Sequence, residues 1–563
     1  MEITPKQPGI SPAEISWNQY PRPQMVRDAW LCLNGAWKLT SEGRTSDIMV
    51  PFCPESPLSK MTWVPEYGKE MVYERSFTIP ETWAGKRILL HFGAVSRLAD
   101  VYVNGNFVCH HEESYYSFSA DITDVLIPGE NTLTVRVVND VSHRHPWGKQ
   151  KIDRGGMWYT PVSGIWQTVW LEPVPEQYIR SLSVRIERDR VLIRAEGIGE
   201  GTLLFEGKSL PVRDGAVRVS PEAPRYWSPE DPFLYSFEIQ SGEDRVRSYF
   251  ALRTLSAETV DGLPRLCLNG KPYYFHGLLD QGYWREGIYT PGDPGGFERD
   301  ISAMKALGFN TLRKHIKIEP EQFYYDCDRL GMIVFQDMVN CGEYHYFRDT
   351  VLPTVGLLKR DDRKLNPDRE ARENFLASME KTVGQLGSHP CICLWTIFNE
   401  GWGQFCADDV FDRLKKLDDT RFIDSTSGWF HQQKSDVDSL HIYFRKLHPG
   451  KGQKPLLLSE IGGWCWKVPE HSFNQEKTYG YRQYKDRAVF VKDLRGLYLD
   501  QVLPLIPKGL CGTIYTQVSD VEDETNGLLT YDRRVAKVLP EELADIGLRL
   551  QEAIRCAEGK DHA

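Results

Sequence analysis

Two glutamates stand out. Glu400 lies in the run of residues 393–404 that contains Asn399-Glu400-Gly401-Trp402, and Glu460 lies in residues 455–463 directly after Leu456-Leu457-Leu458-Ser459. Each closes an apolar run of strand length and is followed by glycine at once or within two residues. A carboxylate at the end of a buried strand is costly to desolvate, and stability alone gives no reason to put one there. A pair of them fits the cleavage of a glycosidic bond, in which one carboxyl group attacks the sugar and the other handles a proton. A single strand-end glutamate can equally be a surface residue capping the next helix. Two together, one of them behind an asparagine, favour chemistry.

The elements that would position such a pair fall into three textures. From about residue 28 to 174 the pattern is strand-like: Leu133, Val135 and Val137 alternate with polar residues, and Asn104-Gly105 is a two-residue hairpin signal because both types tolerate positive φ. From about 178 to 258 come shorter strands at even spacing, 182–186, 191–193 and 234–239. From 259 onward strands and helices alternate. Phe297, Ile301 and Met304 share one helical face before Gly308, and Pro320 opens a helix that Gly331 ends. The predicted fold is therefore multidomain. A β-jelly-roll spans 1–176, an immunoglobulin-like β-sandwich 177–258, and a (β/α)8 TIM barrel 259–563. Barrel strands are expected near 273–278, 310–315, 332–337, 391–399, 421–425, 438–443, 455–460 and 510–517. Glu400 then ends the fourth and Glu460 the seventh. An open doubly wound sheet would place a glycine-rich phosphate loop after the first strand, and His276-Gly277-Leu278-Leu279-Asp280-Gln281 is not one.

Composition narrows the class. The chain has 563 residues, more than one core can organise. Its net charge is −10 with no basic block, which argues against nucleic acid as a partner. No apolar stretch approaches the ~20 residues that cross a bilayer, so no membrane partner is expected. The twelve cysteines are scattered without a Cys-x-x-Cys pair, Cys556 among them. That pattern suggests a reducing compartment and no zinc framework. The start, Met1 to Pro8, shows no basic-then-apolar leader. The reading is a cytoplasmic protein with no cofactor and no metal.

Asn399-Glu400-Gly401-Trp402 with Ser459-Glu460 downstream resembles glycoside hydrolase family 2, the family of β-galactosidases, β-glucuronidases and β-mannosidases. Leu33-Asn34-Gly35-Ala36-Trp37, Trp158-Tyr159-Thr160 and Gly164-Ile165-Trp166 look like its sugar-binding jelly roll. Tyr226-Trp227-Ser228-Pro229 and Phe250-Ala251-Leu252-Arg253 resemble its immunoglobulin-like domain. Asp280-Gln281-Gly282-Tyr283-Trp284 and Arg313-Lys314-His315 resemble a bacterial subgroup often labelled β-galactosidase. The order of these motifs is more specific than any one of them.

The resemblance implies a retaining exo-β-glycosidase acting on a small glycoside or oligosaccharide, with a β-D-galactoside as the first expectation. It implies Glu460 as nucleophile and Glu400 as acid/base, ~5–5.5 Å apart. Glu400 would begin protonated, kept so by partial burial and by the charge of Glu460. Asn399 would bond the sugar 2-hydroxyl, and Arg313 and Tyr443 would hold the nucleophile ionised. His315, His441, Asp280, Gln281, Trp464 and Tyr515 are further substrate-binding candidates, Tyr515 because relatives often carry Trp near the end of strand eight. His276 lies near a strand end as well, and Asp337 could hold Arg313 or touch sugar. Asp520, Glu522 and Glu524 read as a solvated acidic loop. β-Glucuronidases typically present Asn-x-Lys in the barrel, and this chain has Asn526-Gly527-Leu528, so a uronic acid would need Lys314 or Arg533 as its cation. A β-uronidase remains the alternative enzyme. A catalytically inactive sugar-binding protein is the alternative from another class, and a scaffold would show no shared pocket. Family relatives are often dimers or tetramers, which leaves a homo-oligomer open.

Overall fold

The computed structural model describes residues 16–555 apart from 188–189, 355, 358 and 450–452; Met1–Pro8 and Cys556 lie outside the described residues. Residues 31–174 form a jelly roll in which a four-stranded and a six-stranded sheet enclose one apolar core. Strict alternation drives it. In Glu130–Val138 the side chains of Leu133, Val135 and Val137 are fully buried while their neighbours face outward. Asn104 and Gly105 take φ of 51° and 77° and join Leu98–Val103 to Asn106–Glu112. A second, immunoglobulin-like sandwich runs from Ser181 to Phe250 in seven strands with its own core. A three-stranded antiparallel sheet, 255–272, leads into the barrel.

The barrel strands are β1 (Phe275–Asp280), β2 (Thr311–Lys314), β3 (Ile333–Asp337), β4 (Ile392–Asn399), β5 (Phe422–Ser427), β6 (Asp438–Ile442), β7 (Leu456–Gly462) and β8 (Leu510–Thr516). They are parallel neighbours in the order β5-β4-β3-β2-β1-β8-β7-β6. Side chains close the seam between β5 and β6. Ser439 Oγ donates to Asp424 Oδ1 at 3.0 Å, and Ser427 Oγ meets His441 Nε2 at 3.0 Å. Phe275, Phe335 and Phe422 from β1, β3 and β5 pack together inside the barrel at ring distances of 5.3 and 6.3 Å, one layer from alternate strands.

The helices follow their sequence signals. Helix α1 (Gly295–Ala306) carries Phe297, Ile301 and Met304 inward, and α2 (Glu321–Leu330) starts after Pro320 and stops at Gly331, φ 73°. Helix α3 (Arg369–Leu386) is capped by Asp368, whose Oδ1 accepts from the N–H of Glu370 and Ala371. Ala407–Leu417, Arg487–Gly496 and Pro540–Arg555 follow as α4, α5 and α6. Connections between β5 and β6 and between β6 and β7 contain no described helix, which fits their short length. Among the described residues no helix is long and apolar enough to cross a membrane.

Asp328 on α2 joins the barrel to the second sandwich. Its carboxylate accepts from the N–H of Cys391 at 2.8 Å and the hydroxyl of Tyr249 at 2.7 Å, and His389 Nδ1 lies 2.7 Å away. All these groups are buried. Asp328→Ala leaves three buried partners unsatisfied, so a loss of about 3 kcal/mol or more is expected. Urea unfolding measures it; a change under about 0.5 kcal/mol, the range of an ordinary surface substitution, refutes the assignment.

Candidate active site

Glu400 follows β4 with φ 53°, a left-handed conformation that residues with a side chain seldom take. The neighbourhood holds it there. The Glu400 N–H donates to Ser427 O at 2.9 Å, and the Trp429 indole donates to Glu400 O at 3.0 Å. Gly401 follows at φ 76°, where a Cβ would come 2.3 Å from the Phe430 ring. The glycine after the glutamate is thus a steric requirement. Backbone held in this region is a feature of functional sites.

Glu460 sits near the end of β7, its side chain 6% exposed. Arg313 reaches it from β2, with Nη1 donating to Glu460 Oε1 at 3.1 Å and to Ser459 O at 3.1 Å. The same guanidinium donates from Nε to Asp337 Oδ1 at 2.9 Å and from Nη2 to Asn399 Oδ1 at 2.8 Å. Accepting through Oδ1 turns the Asn399 amide N–H2 away from Arg313. His315 Nδ1 lies 2.7 Å from Asp337 Oδ2, a carboxylate oxygen that accepts, and this contact fixes its ring.

His441, at the end of β6, spans the two glutamates. Its Nδ1 is 2.8 Å from Glu400 Oε1, and its Nε2 is 3.6 Å from Glu460 Oε1. Tyr443 donates to Glu460 Oε2 at 2.6 Å and lies 3.5 Å from Glu400 Oε1. Its ring stacks on Tyr481 at 3.9 Å. One oxygen of each glutamate and one nitrogen of His441 fall within 4.8 Å of one another. Three such donors could hold a metal ion. Arg313 already supplies a fixed positive charge at Glu460, and a second cation would be repelled there.

The electrostatics separate these groups. Burial pushes the Glu460 carboxyl up, but His441, Arg313 and His315 outweigh it with the Tyr443 hydroxyl and bring it down to about 2. Burial lowers the His315 imidazole; the bond to Asp337 opposes this and the charge of Lys149 adds to it, leaving a value of about 4. Burial raises Asp337, and the Arg313 charge more than reverses it.

The structure brings Glu400, Glu460, Asn399, Arg313, His315, His441 and Tyr443 together, and the side chains of the other four candidates share no hydrogen bond, ion pair or ring contact with that group among the described residues. Asp280 is bound to Lys314 at 2.7 Å, inside a buried cluster where Lys314 and Lys317 also meet Glu319 at 2.8 and 2.9 Å. Gln281 is buried with its amide unpartnered among the described residues. Trp464 lies against Arg482 and Tyr484 at 5.4 and 6.0 Å. Tyr515 turns to the helical side of β8: its ring lies on Gly462, beside Tyr498. His276 also faces outward, stacked on Phe309 at 4.2 Å.

The acidic stretch after β8 is a correction to the sequence reading. Asp520, Glu522 and Glu524 are buried, because each has a partner far away in sequence. Lys537 meets Asp520 at 2.6 Å, Arg154 meets Glu522 at 3.0 Å, and the Tyr159 hydroxyl donates to Glu524 at 2.6 Å. Two of those partners come from the jelly roll, whose residues 147–159 cover this end of the barrel. Trp147 stacks on Trp158 at 5.2 Å and Trp158 on Trp402 at 5.3 Å. Beyond the resemblance of Trp158-Tyr159-Thr160, nothing in the sequence pattern of that loop signals a place beside the glutamates.

Comparison with known proteins follows the same outline. Residues 44–175 match the model described as the glycosyl hydrolases family 2 sugar binding domain, and residues 261–461 match its TIM barrel domain. A β-galactosidase of Klebsiella pneumoniae is 24% identical over 66% of this chain and 37% of its own length. A β-glucuronidase of Chlorocebus aethiops is 25% identical over 58% of this chain and 54% of its own. The chain thus spans only about a third to a half of the length of these curated relatives. A β-D-glucuronidase structure from Dictyoglomus thermophilum superposes with a TM-score of 0.73 at 19% identity, covering 94% of this chain and 98% of that one. Two models of one family, in chain order and together spanning more than half the sequence, settle the lineage: the chain belongs to glycoside hydrolase family 2.

Proposed function

We propose that this chain is a retaining exo-β-glycosidase with Glu460 as nucleophile and Glu400 as acid/base. The observation that carries the reading is the convergence of two carboxylates from β4 and β7 to within 4.8 Å, joined by His441 and Tyr443. That separation suits direct attack on the sugar and leaves no room for an intervening water, the mark of the retaining geometry.

The steps follow from the partners. Glu460, kept ionised by Arg313, attacks the anomeric carbon as Glu400 delivers its proton to the departing oxygen. A glycosyl ester on Glu460 results, and the aglycone leaves as an alcohol. Water then attacks the same carbon, Glu400 takes its proton, and the Glu460 carboxylate is released. Asn399, its oxygen engaged by Arg313, turns its N–H2 to the sugar 2-hydroxyl, a bond that strengthens as charge develops on the ring. An inactive sugar-binding protein would need no such set of partners around both acids.

For the sugar, the expectation from sequence is a β-D-galactoside, with a β-uronide as alternative. The alternative gains support from the whole-length likeness to a β-D-glucuronidase structure, whereas the match to a β-galactosidase covers 37% of that protein.

Glu460→Gln should abolish turnover, whereas Glu400→Gln should keep activity on aryl glycosides whose leaving group needs no proton. A panel of nitrophenyl glycosides measures both; near-normal rates in both variants on a good substrate sink the assignment. The depressed Glu460 carboxyl also sets a pH dependence. Its folded value lies below the ordinary 4.5, so its charge stabilises the fold fully above about pH 4.5, and that contribution drains away as pH falls toward 2. Arg313→Met removes one of the groups holding it down, and the acid limb of the kcat/KM profile should move up by about 1–3 pH units. An unmoved limb in that variant means Arg313 does not set the charge of Glu460.

A further inference from the structure

The cations first considered for an acidic sugar are taken. Lys314 is held by Asp280 and Glu319. Arg533 lies over the Trp284 ring at 4.1 Å and faces Asp300. Arg313 is spent on Glu460, Asp337, Asn399 and Ser459. Lys317 and Lys537 are paired with Glu319 and Asp520.

Lys149 differs from all of these. It comes from the jelly roll, is 7% exposed, and its ammonium has neither a hydrogen bond nor an ion pair among the described residues. Its ammonium lies 5.7 Å from the centres of both the Trp402 and the Tyr159 rings. It is close enough for its charge to bear on His315 and on Glu524. The backbone that carries it is fixed. Tyr159 N–H donates to Lys149 O at 2.9 Å, and Gln150 Nε2 donates to Trp147 O and Tyr289 Oη, each at 2.8 Å. Gly148 takes φ 73°, where a Cβ would meet the Tyr115 hydroxyl at 2.6 Å.

A lysine whose side chain is nine-tenths buried and whose ammonium has no anion within ion-pair distance among the described residues is costly, and a site for a neutral sugar gives no reason to keep one. Glu524 is a poor counter-ion. It is engaged by Tyr159 and Gln517, and burial shifts its carboxyl toward the neutral form despite Lys149. Lys149 shares the Trp402 ring with His315, at 5.7 and 6.5 Å, and His315 is linked through Asp337 and Arg313 to Glu460, so the ammonium lies beside the group of residues that surrounds the two glutamates. We infer that Lys149 receives the carboxylate of a β-uronide, so that the cation selecting the substrate is supplied by the jelly roll and not by the barrel. This rests on the glycosidase reading above and names its substrate class.

The test compares kcat/KM on nitrophenyl β-glucuronide, β-galacturonide and β-galactoside for the intact protein, Lys149→Met and Lys149→Arg. The intact protein should favour a uronide. In Lys149→Met the ratio of uronide to galactoside kcat/KM should fall by about 10- to 100-fold, the size of one charge-assisted hydrogen bond, mainly through KM. Lys149→Arg should recover much of that ratio. An equal fall on both sugars marks Lys149 as merely structural and overturns the inference, as does an intact protein that turns over the galactoside but neither uronide. Failure of the glycosidase reading looks different: no glycoside is hydrolysed by any of the three proteins.

Discussion

The guanidinium of Arg313 is the interaction on which the site depends. It is buried, and its donors reach groups on β3, β4 and β7 from its own place on β2. A buried cation of this kind is tolerable only when its anions are held in place, and here the barrel holds them. The same contacts that neutralise Arg313 keep Glu460 ionised, orient Asn399 and, through Asp337, fix the ring of His315. Stability and chemistry meet in one set of hydrogen bonds. Arg suits the task better than Lys because its planar fork serves several acceptors in fixed directions.

Glu400 is handled differently. Its position comes from the backbone, through a left-handed turn and a glycine that cannot be replaced without meeting Phe430. Its oxygen faces His441 and Tyr443, and among the described residues no arginine is bonded to it. Two glutamates of identical chemistry thus stand in unlike surroundings, which is what a division of labour between nucleophile and proton carrier requires.

Much of this was legible in the sequence. The eight barrel strands lie close to their expected positions, because glycine and proline punctuate each strand-helix unit and leave little freedom. The convergence of Glu400 and Glu460 follows from placing strand ends four and seven at one rim. Tyr515 and His276 were harder, because side chains on a strand alternate between its two faces. Both sit on barrel strands, yet their parity sends them to the helical layer, and type and spacing near a strand end do not give that parity. The acidic stretch after β8 failed for another reason. Its partners Arg154, Tyr159 and Lys537 are far away in the chain, and burial created by distant partners leaves no local trace. Lys149 was unreadable on the same ground.

The stack of Trp147, Trp158 and Trp402 gives the jelly roll a second identity. Its residues 147–159 pack against Trp402, two residues after Glu400, and so form one wall of the proposed site. Under the proposed function, selection on sugar preference can then act on a loop that the barrel does not encode. The barrel alone, cut free of that wall, would be left with both glutamates and an open flank.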